Sequence, residues 1–130
     1  MVPLKVYIVD DSTQLTEVLS ELIGDPGKVV VCGTAGSVKD ANAGIARLVP
    51  DVIIADLQLS DGTGFDVVKS VRGAEPAGER RSLIILFSNH VGAELRRRAL
   101  EVGADHFLDK SNDHALLVEL VQDRARVQRT

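Results

Sequence analysis

Four of the five short apolar runs in this sequence end in side chains able to do chemistry together. Asp10 and Asp11 follow Leu4–Val9, and Asp56 follows Val52–Ala55. Ser88, with Asn89 and His90 beyond it, follows residues 83–87, and Asp109, Lys110 and Ser111 follow residues 106–108. The remaining run, residues 29–32, leads into Gly33 and Thr34 and offers nothing chargeable. If these ends meet, three carboxylates, a hydroxyl and an ammonium share one site. Carboxylates held close raise one another's pKa unless a cation offsets them. An oxygen-only donor set suits a hard dication, with Mg²⁺ the natural occupant and Mn²⁺ the alternative. A carboxylate beside such an ion can attack phosphorus, because the metal and a nearby ammonium offset the charge on the oxygens. Lys110 would supply that ammonium, and Ser88 would donate a hydrogen bond to a phosphoryl oxygen.

Whether the ends meet depends on the elements that carry them. The apolar runs lack polar alternation, as expected of strands covered on both faces. Between them lie segments of helical period. Leu15, Val18, Leu19, Leu22 and Ile23 predict one apolar face of a first helix, broken by residues 24–27. Ser37 and Asp40 have the spacing of a capping box and open a second helix, with Val38, Ala41, Ile45 and Leu48 inward and its end before Pro50. Thr63 and Asp66 repeat that pattern before a third helix over 64–72, and residues 73–81 form the longest loop. A fourth helix is predicted over 91–102, stopped by Gly103. A last helix after Asn112 would bury Leu116, Leu117, Leu120 and Val121. Five strand–helix repeats predict an α/β fold: a five-stranded parallel sheet, order 2-1-3-4-5, doubly wound with five helices. In such sheets the functional groups gather beyond the carboxyl ends of the strands, where all four chemical ends lie.

Taken singly, each residue has an ordinary structural role. An Asp-Asp pair is usually a solvated turn, a serine after a strand a capping neighbour, a lysine a surface charge. Their joint placement at four strand ends out of five selects the chemical reading. Composition fits it. The 130 residues suit one domain over 1–130, and 45% apolar content suits a folded core. One cysteine, Cys32, rules out an internal disulfide. No apolar run reaches the ~20 residues needed to span a bilayer, and the first residues lack a signal-peptide pattern, so a cytoplasmic location without membrane contact is expected. A net charge of −4 gives no footprint for nucleic acid. Arg80 and Arg81, and Arg96, Arg97 and Arg98, lie near acids and read as solvated faces.

With these residues in hand, nearly the whole chain, about residues 4–124, resembles the receiver domain of two-component response regulators. The resemblance rests on Asp10-Asp11 after Tyr7-Ile8-Val9, Asp56 after Val52-Ile53-Ile54-Ala55, Ser88, Lys110, and the loop Asp56-Leu57-Gln58-Leu59 with Asp61-Gly62. It implies that Asp56 accepts a phosphoryl group from a phosphohistidine of a sensor histidine kinase or histidine phosphotransfer protein. It implies that Asp11, Asp56 and the backbone carbonyl of Gln58 ligate Mg²⁺, with Asp10 acting through metal-bound water. Ser88 and Lys110 would hold phosphoryl oxygens. Phe107 would turn inward as Ser88 moves, changing the surface offered to a downstream protein, although a core aromatic would look the same in sequence. Gln58 and His90 occupy the two positions that vary with phosphate lifetime in the family.

Two positions depart from the family pattern. Ser111 follows Lys110 where proline with a cis bond is frequent, and a non-proline cis bond costs about 2.5–4 kcal/mol, so a trans bond is expected. Ser60 stands where proline is frequent after the phosphorylated aspartate. Most family members carry an output domain, and this sequence has none: as a complete protein it would act by protein contact, as a piece of a longer one it could serve transcription. Arg96 to Arg98 and Glu119 with Asp123 could pair across a phosphorylation-dependent homodimer. Three rivals remain: a receiver-like interaction module that is never phosphorylated, a dehalogenase-like Mg²⁺ phosphatase suggested by Asp61-Gly62-Thr63, and a flavin or nucleotide module around Gly33-Thr34-Ala35-Gly36. The phosphatase motif needs an aspartate at 59, where Leu59 stands, and the glycines are too sparse for a phosphate loop.

Overall fold

The computed structural model describes residues 2–129; Met1 and Thr130, the outermost residues of the expected domain, lie outside the described residues. Five strands, β1 (Leu4–Val9), β2 (Val29–Ala35), β3 (Val52–Ala55), β4 (Leu83–Ser88) and β5 (His106–Asp109), pair in parallel in the order β2-β1-β3-β4-β5, and a separate short hairpin pairs Gln58–Leu59 with Gly62–Thr63. Five helices alternate with them: α1 (Thr13–Ile23), α2 (Val38–Leu48), α3 (Gly64–Ala74), α4 (Ala93–Val102) and α5 (His114–Arg129). Because successive strand residues point to opposite faces, the apolar runs feed two cores. Tyr7, Val9, Ile53, Ala55, Ile84, Leu86 and Phe107 pack with residues of α2, α3 and α4. Val6, Ile8, Val52, Ile54, Ile85 and Phe87 pack with Leu19 and Ile23 of α1 and Leu117, Val121 and Ala125 of α5. This is the expected doubly wound sheet, with the switch in strand order between β1 and β3.

Local departures from the sequence reading have physical causes. On α1 the buried stripe is Thr16, Leu19 and Ile23, while Val18 and Leu22 are 50% and 45% exposed. At 100° per residue both lie to one side of the line facing the sheet. On α5, Leu116 is 41% exposed for the same reason, and Ala125 takes a core place further along. Strand β2 extends through Gly33 and Thr34 to Ala35. It is an edge strand, so Val30 is exposed. A register shift opposite Val6 and Tyr7 leaves Cys32 without a counterpart on β1. The Tyr7 ring lies between two glycines: a Cβ on Gly33 would fall 2.8 Å from it, and one on Gly44 would fall 2.2 Å from its hydroxyl.

Of the two capping boxes expected, the one at Ser37 forms only its serine half. Ser37 Oγ accepts the Asp40 N–H at 3.1 Å, and Thr63 with Asp66 forms a full capping box. Gly103 ends α4 with φ 110°, a conformation that favours glycine. Helix α4 starts at Ala93 rather than 91, and Ala99 alone of its residues is fully buried. Its arginines help to seat it. The Arg96 guanidinium lies 5.6 Å from the centre of the Phe107 ring and donates to the Phe107 carbonyl at 3.0 Å. Arg98 lies 4.8 Å over Phe65, and Arg97 pairs with Glu94 and Glu101 along the helix. At the amino ends of β4 and β5 Arg72 ties three segments together, donating to the carbonyls of Gly103 and Ser82 and pairing with Glu75 and Asp105. No helix of the described residues is long and apolar enough to cross a membrane.

Candidate functional site

Asp10 directly follows the inner strand β1, and it is buried. Its Oδ1 accepts the Ser12 N–H at 2.9 Å and its Oδ2 accepts from Lys110 Nζ at 2.7 Å. Asp56 stands beside it because β3 pairs with β1, and the Asp56 N–H donates to the Val9 carbonyl at 2.9 Å. Its Oδ1 accepts the Leu57 N–H at 2.8 Å, and its Oδ2 lies 3.2 Å from Lys110 Nζ. Asp11, exposed, completes the group: one oxygen from each of Asp10, Asp11 and Asp56 lies within 4.8 Å of the others. Burial pushes the Asp56 carboxyl above the ordinary aspartate range; Lys110 opposes that shift and the Asp10 charge adds to it.

The neighbouring strand ends close the site. The Lys110 N–H donates to the Ser88 carbonyl at 3.0 Å, which fixes the end of β5 on the end of β4. Ser88 is fully buried, and its hydroxyl accepts the His90 N–H at 3.0 Å, leaving its proton for another acceptor. So the structure brings Asp10, Asp11, Asp56 and Lys110 into one cluster and places Ser88 at the adjoining strand end. Phe107 is not in the cluster; it is buried in the core beneath Arg96. Gln58 is exposed in a two-residue hairpin with Thr63, and His90 is exposed. No peptide bond among the described residues is cis, Lys110–Ser111 included. A groove of about 600 Å³ opens between α1 and α2, and Asp10 and Asp11 line it while Asp56, Ser88 and Lys110 do not. This groove thus reaches two of the clustered acids and lies to one side of the other three groups.

The donor set fits a hard dication. With all three carboxylates ionised, one ammonium leaves two negative charges uncompensated at oxygens close enough to share an ion. Two features of the site had no clear signal in the sequence. Asp61 accepts the Val38 and Lys39 N–H groups at 2.6 and 3.1 Å, fastening the loop after Asp56 to the start of α2. Those two bonds hold its carboxyl below the ordinary aspartate range and place it at a helix start, not among the clustered acids, which counts against the phosphatase reading. The second is His114, at the start of α5, whose ring reaches back to the Lys110 carbonyl.

A parallel α/β sheet with an acid cluster and a lysine beyond its carboxyl edge defines a class of regulatory domain. The sequence model of the response regulator receiver domain matches residues 6–122, and the chain belongs to that family and to two-component signalling. It is 30% identical over 132 residues to protein-glutamate methylesterase/protein-glutamine glutaminase 1 of Rhizobium johnstonii, covering 98% of this chain and 37% of that protein. It is 30% identical over 119 residues to the DNA-binding transcriptional activator DevR/DosR of Mycobacterium tuberculosis, covering 92% of this chain and 53% of that protein. The chain therefore spans only a third to a half of these two relatives' lengths. Among solved structures, the signal receiver domain of the response regulator NarL from Mycobacterium tuberculosis superposes with a TM-score of 0.84 at 27% identity, covering 97% of this chain and 98% of that one.

Proposed function

We propose that Asp56 is the phosphoacceptor of this receiver domain. The observation that carries this reading is Lys110 Nζ standing between Asp10 Oδ2 and Asp56 Oδ2, with an Asp11 oxygen in the same cluster. Asp56 Oδ2, the oxygen not held by the Leu57 amide, attacks the phosphorus of a phosphohistidine on a sensor histidine kinase or histidine phosphotransfer protein. The P–N bond breaks, the imidazole leaves, and an aspartyl phosphate forms. Mg²⁺, or Mn²⁺ in its place, would be held by Asp11, Asp56 and the Gln58 carbonyl, and it would offset charge on the phosphoryl oxygens. Asp10 is the most buried of the three acids and makes the shorter contact with Lys110, which supports its acting through metal-bound water. Lys110 follows the charge onto the new phosphoryl group, and the Ser88 hydroxyl donates its free proton there.

The output is a switch rather than turnover of an outside substrate. As Ser88 is drawn toward the phosphoryl group, the packing of Phe107 and Arg96 shifts and with it the surface of α4 and β5. That surface meets a protein target, either a further domain or a separate partner, in the cytoplasm. For a homodimer, Arg96 and Arg98 would first have to leave the rings they rest on and Arg97 its glutamates. Incubation with acetyl phosphate and Mg²⁺, followed by intact mass, tests the reading. Wild type gains one phosphoryl adduct and Asp56→Asn gains none. No adduct on wild type with any small phosphodonor or either metal makes the domain an interaction module instead.

A further inference from the structure

Lys110 serves two carboxylates only if its main chain is held still, and the residue after it is Ser111, which brings no rigidity of its own. The loop from Asp109 to His114 is fixed by side chains instead. The Asp109 N–H donates to Asp113 Oδ2 at 2.8 Å, and Asp109 Oδ1 and Oδ2 accept from the Ser111 N–H at 2.8 Å and from the Asn112 amide at 3.0 Å. These bonds shape the turn on either side of Lys110. The bond that reaches Lys110 from a side chain is different: His114 Nε2 lies 2.6 Å from the Lys110 carbonyl oxygen. A carbonyl only accepts, so Nε2 carries the hydrogen, in the neutral ring as in the cation.

The ring itself is wedged. Its other side meets Phe87 edge-on, with centroids 5.3 Å apart at 74°, and Phe87 is a core residue of β4. Lys110 is therefore pinned at both of its peptide groups, its N–H on the Ser88 carbonyl and its carbonyl on His114. Two fixed peptide planes set the direction of the Cα–Cβ bond between them, and so the reach of the ammonium toward Asp10 and Asp56.

We infer that His114 is a positioning residue for Lys110: its Nε2–H grips the Lys110 carbonyl so that the ammonium stands where a phosphoryl group on Asp56 would need it. This rests on the reading of Asp56 and Lys110 given above. His114 touches no reacting atom and acts through the lysine alone.

The test uses variants that separate packing from the hydrogen bond. His114→Phe keeps an aromatic edge against Phe87 and removes the donor; His114→Gln restores an N–H at similar reach. Binding of beryllofluoride with Mg²⁺ is followed by calorimetry, since the chain has no tryptophan, and urea midpoints establish that each variant folds. His114→Phe is expected to bind about five-fold more weakly, as befits one hydrogen bond, with His114→Gln recovering most of the loss. In a Lys110→Ala background the same His114→Phe change is expected to have no further effect. Unchanged affinity in His114→Phe, or an undiminished loss without Lys110, overturns the inference. If wild type binds no beryllofluoride, the phosphoacceptor reading fails by itself. Amide hydrogen exchange at Ser111 then decides the role of His114: exchange about ten-fold faster in His114→Phe supports it, and equal protection overturns it.

Discussion

Replacing Gly64 by alanine should strike the proposed phosphoacceptor, Asp56, through its backbone. A Cβ at Gly64 would lie 2.4 Å from the Asp56 carbonyl oxygen, 3.1 Å from its carbon and 3.0 Å from Leu86 Cδ2. Ordinary contact needs roughly 1 Å more than the shortest of these. Neither side can back away freely. Gly64 donates to the Leu57 carbonyl at 2.9 Å and lies inside the Thr63–Asp66 capping box, while Asp56 is bonded to Val9. Overpacking of this kind costs about 1–3 kcal/mol, against which the helix propensity of alanine returns at most about 1 kcal/mol. A 1 Å displacement would stretch the 3.2 Å contact between Asp56 and Lys110 beyond hydrogen-bond reach. Phosphorylation by acetyl phosphate should then slow by ten-fold or more. Gly73→Ala is the control on the same helix, with nothing within 4 Å of its Cβ; it should stabilise by about 0.5–1 kcal/mol and leave phosphorylation unchanged. Urea midpoints and an intact-mass time course read both effects. If Gly64→Ala matches Gly73→Ala in stability and modifies at the wild-type rate, the steric argument is wrong.

Three further outcomes are expected. Mg²⁺ at about 100 times its dissociation constant should stabilise the folded chain by about 2.7 kcal/mol in thermal unfolding, and Asp11→Asn should lose most of that gain. Without metal the sign reverses at Asp56. Its carboxyl is raised by burial, so its ionised form disfavours folding fully above the folded pKa and not at all below the unfolded one near ~3.9. Asp56→Asn should therefore be more stable than wild type in EDTA at pH 7, with the difference closing toward pH 4, as urea titrations would show. At Glu75 burial acts upward, but the Arg72 hydrogen bond, the Ser82 and Arg81 N–H groups and the Arg72 charge together hold the carboxyl below the ordinary glutamate range. Its stabilisation is fully present above the unfolded glutamate pKa near ~4.3 and fades as pH falls through the lower folded value. Glu75→Gln should thus lose about 1–2 kcal/mol at pH 7 and converge on wild type in acid, measured by denaturation at both pH values.

The site was legible because parallel strands all deliver their last residues to one edge, so Asp10, Asp11, Asp56, Ser88 and Lys110 could be gathered from sequence position alone. The helical faces were less so. Periodicity counts every apolar residue near a stripe as buried, and on α1 and α5 it could not tell that Val18, Leu22 and Leu116 fall to the side of the contact. The order 2-1-3-4-5 already put β2 at an edge, but nothing in Val29, Val30 and Val31 showed which of them would face solvent, and it is Val30 that does. The long-range polar contacts left no pattern at all. Asp61 caps a helix that starts 23 residues before it, and Arg96 reaches Phe107 across two elements. Such bonds depend on the folded geometry that the apolar runs create and not on local spacing.

Helix α4 holds to the body by one buried methyl, the partly buried Leu95 and Val102, and two guanidinium groups lying on aromatic rings, one of them also bonded to the Phe107 carbonyl. A cation resting on a ring contributes only about 0.5–2 kcal/mol and tolerates sliding, unlike a side chain keyed into a core. α3, by contrast, is locked by Phe65, Val67, Val68 and Val71. On the proposed reading, a charge event of a few kcal/mol at the sheet edge should be felt first as travel of α4, with its neighbour staying put as the anvil against which it moves.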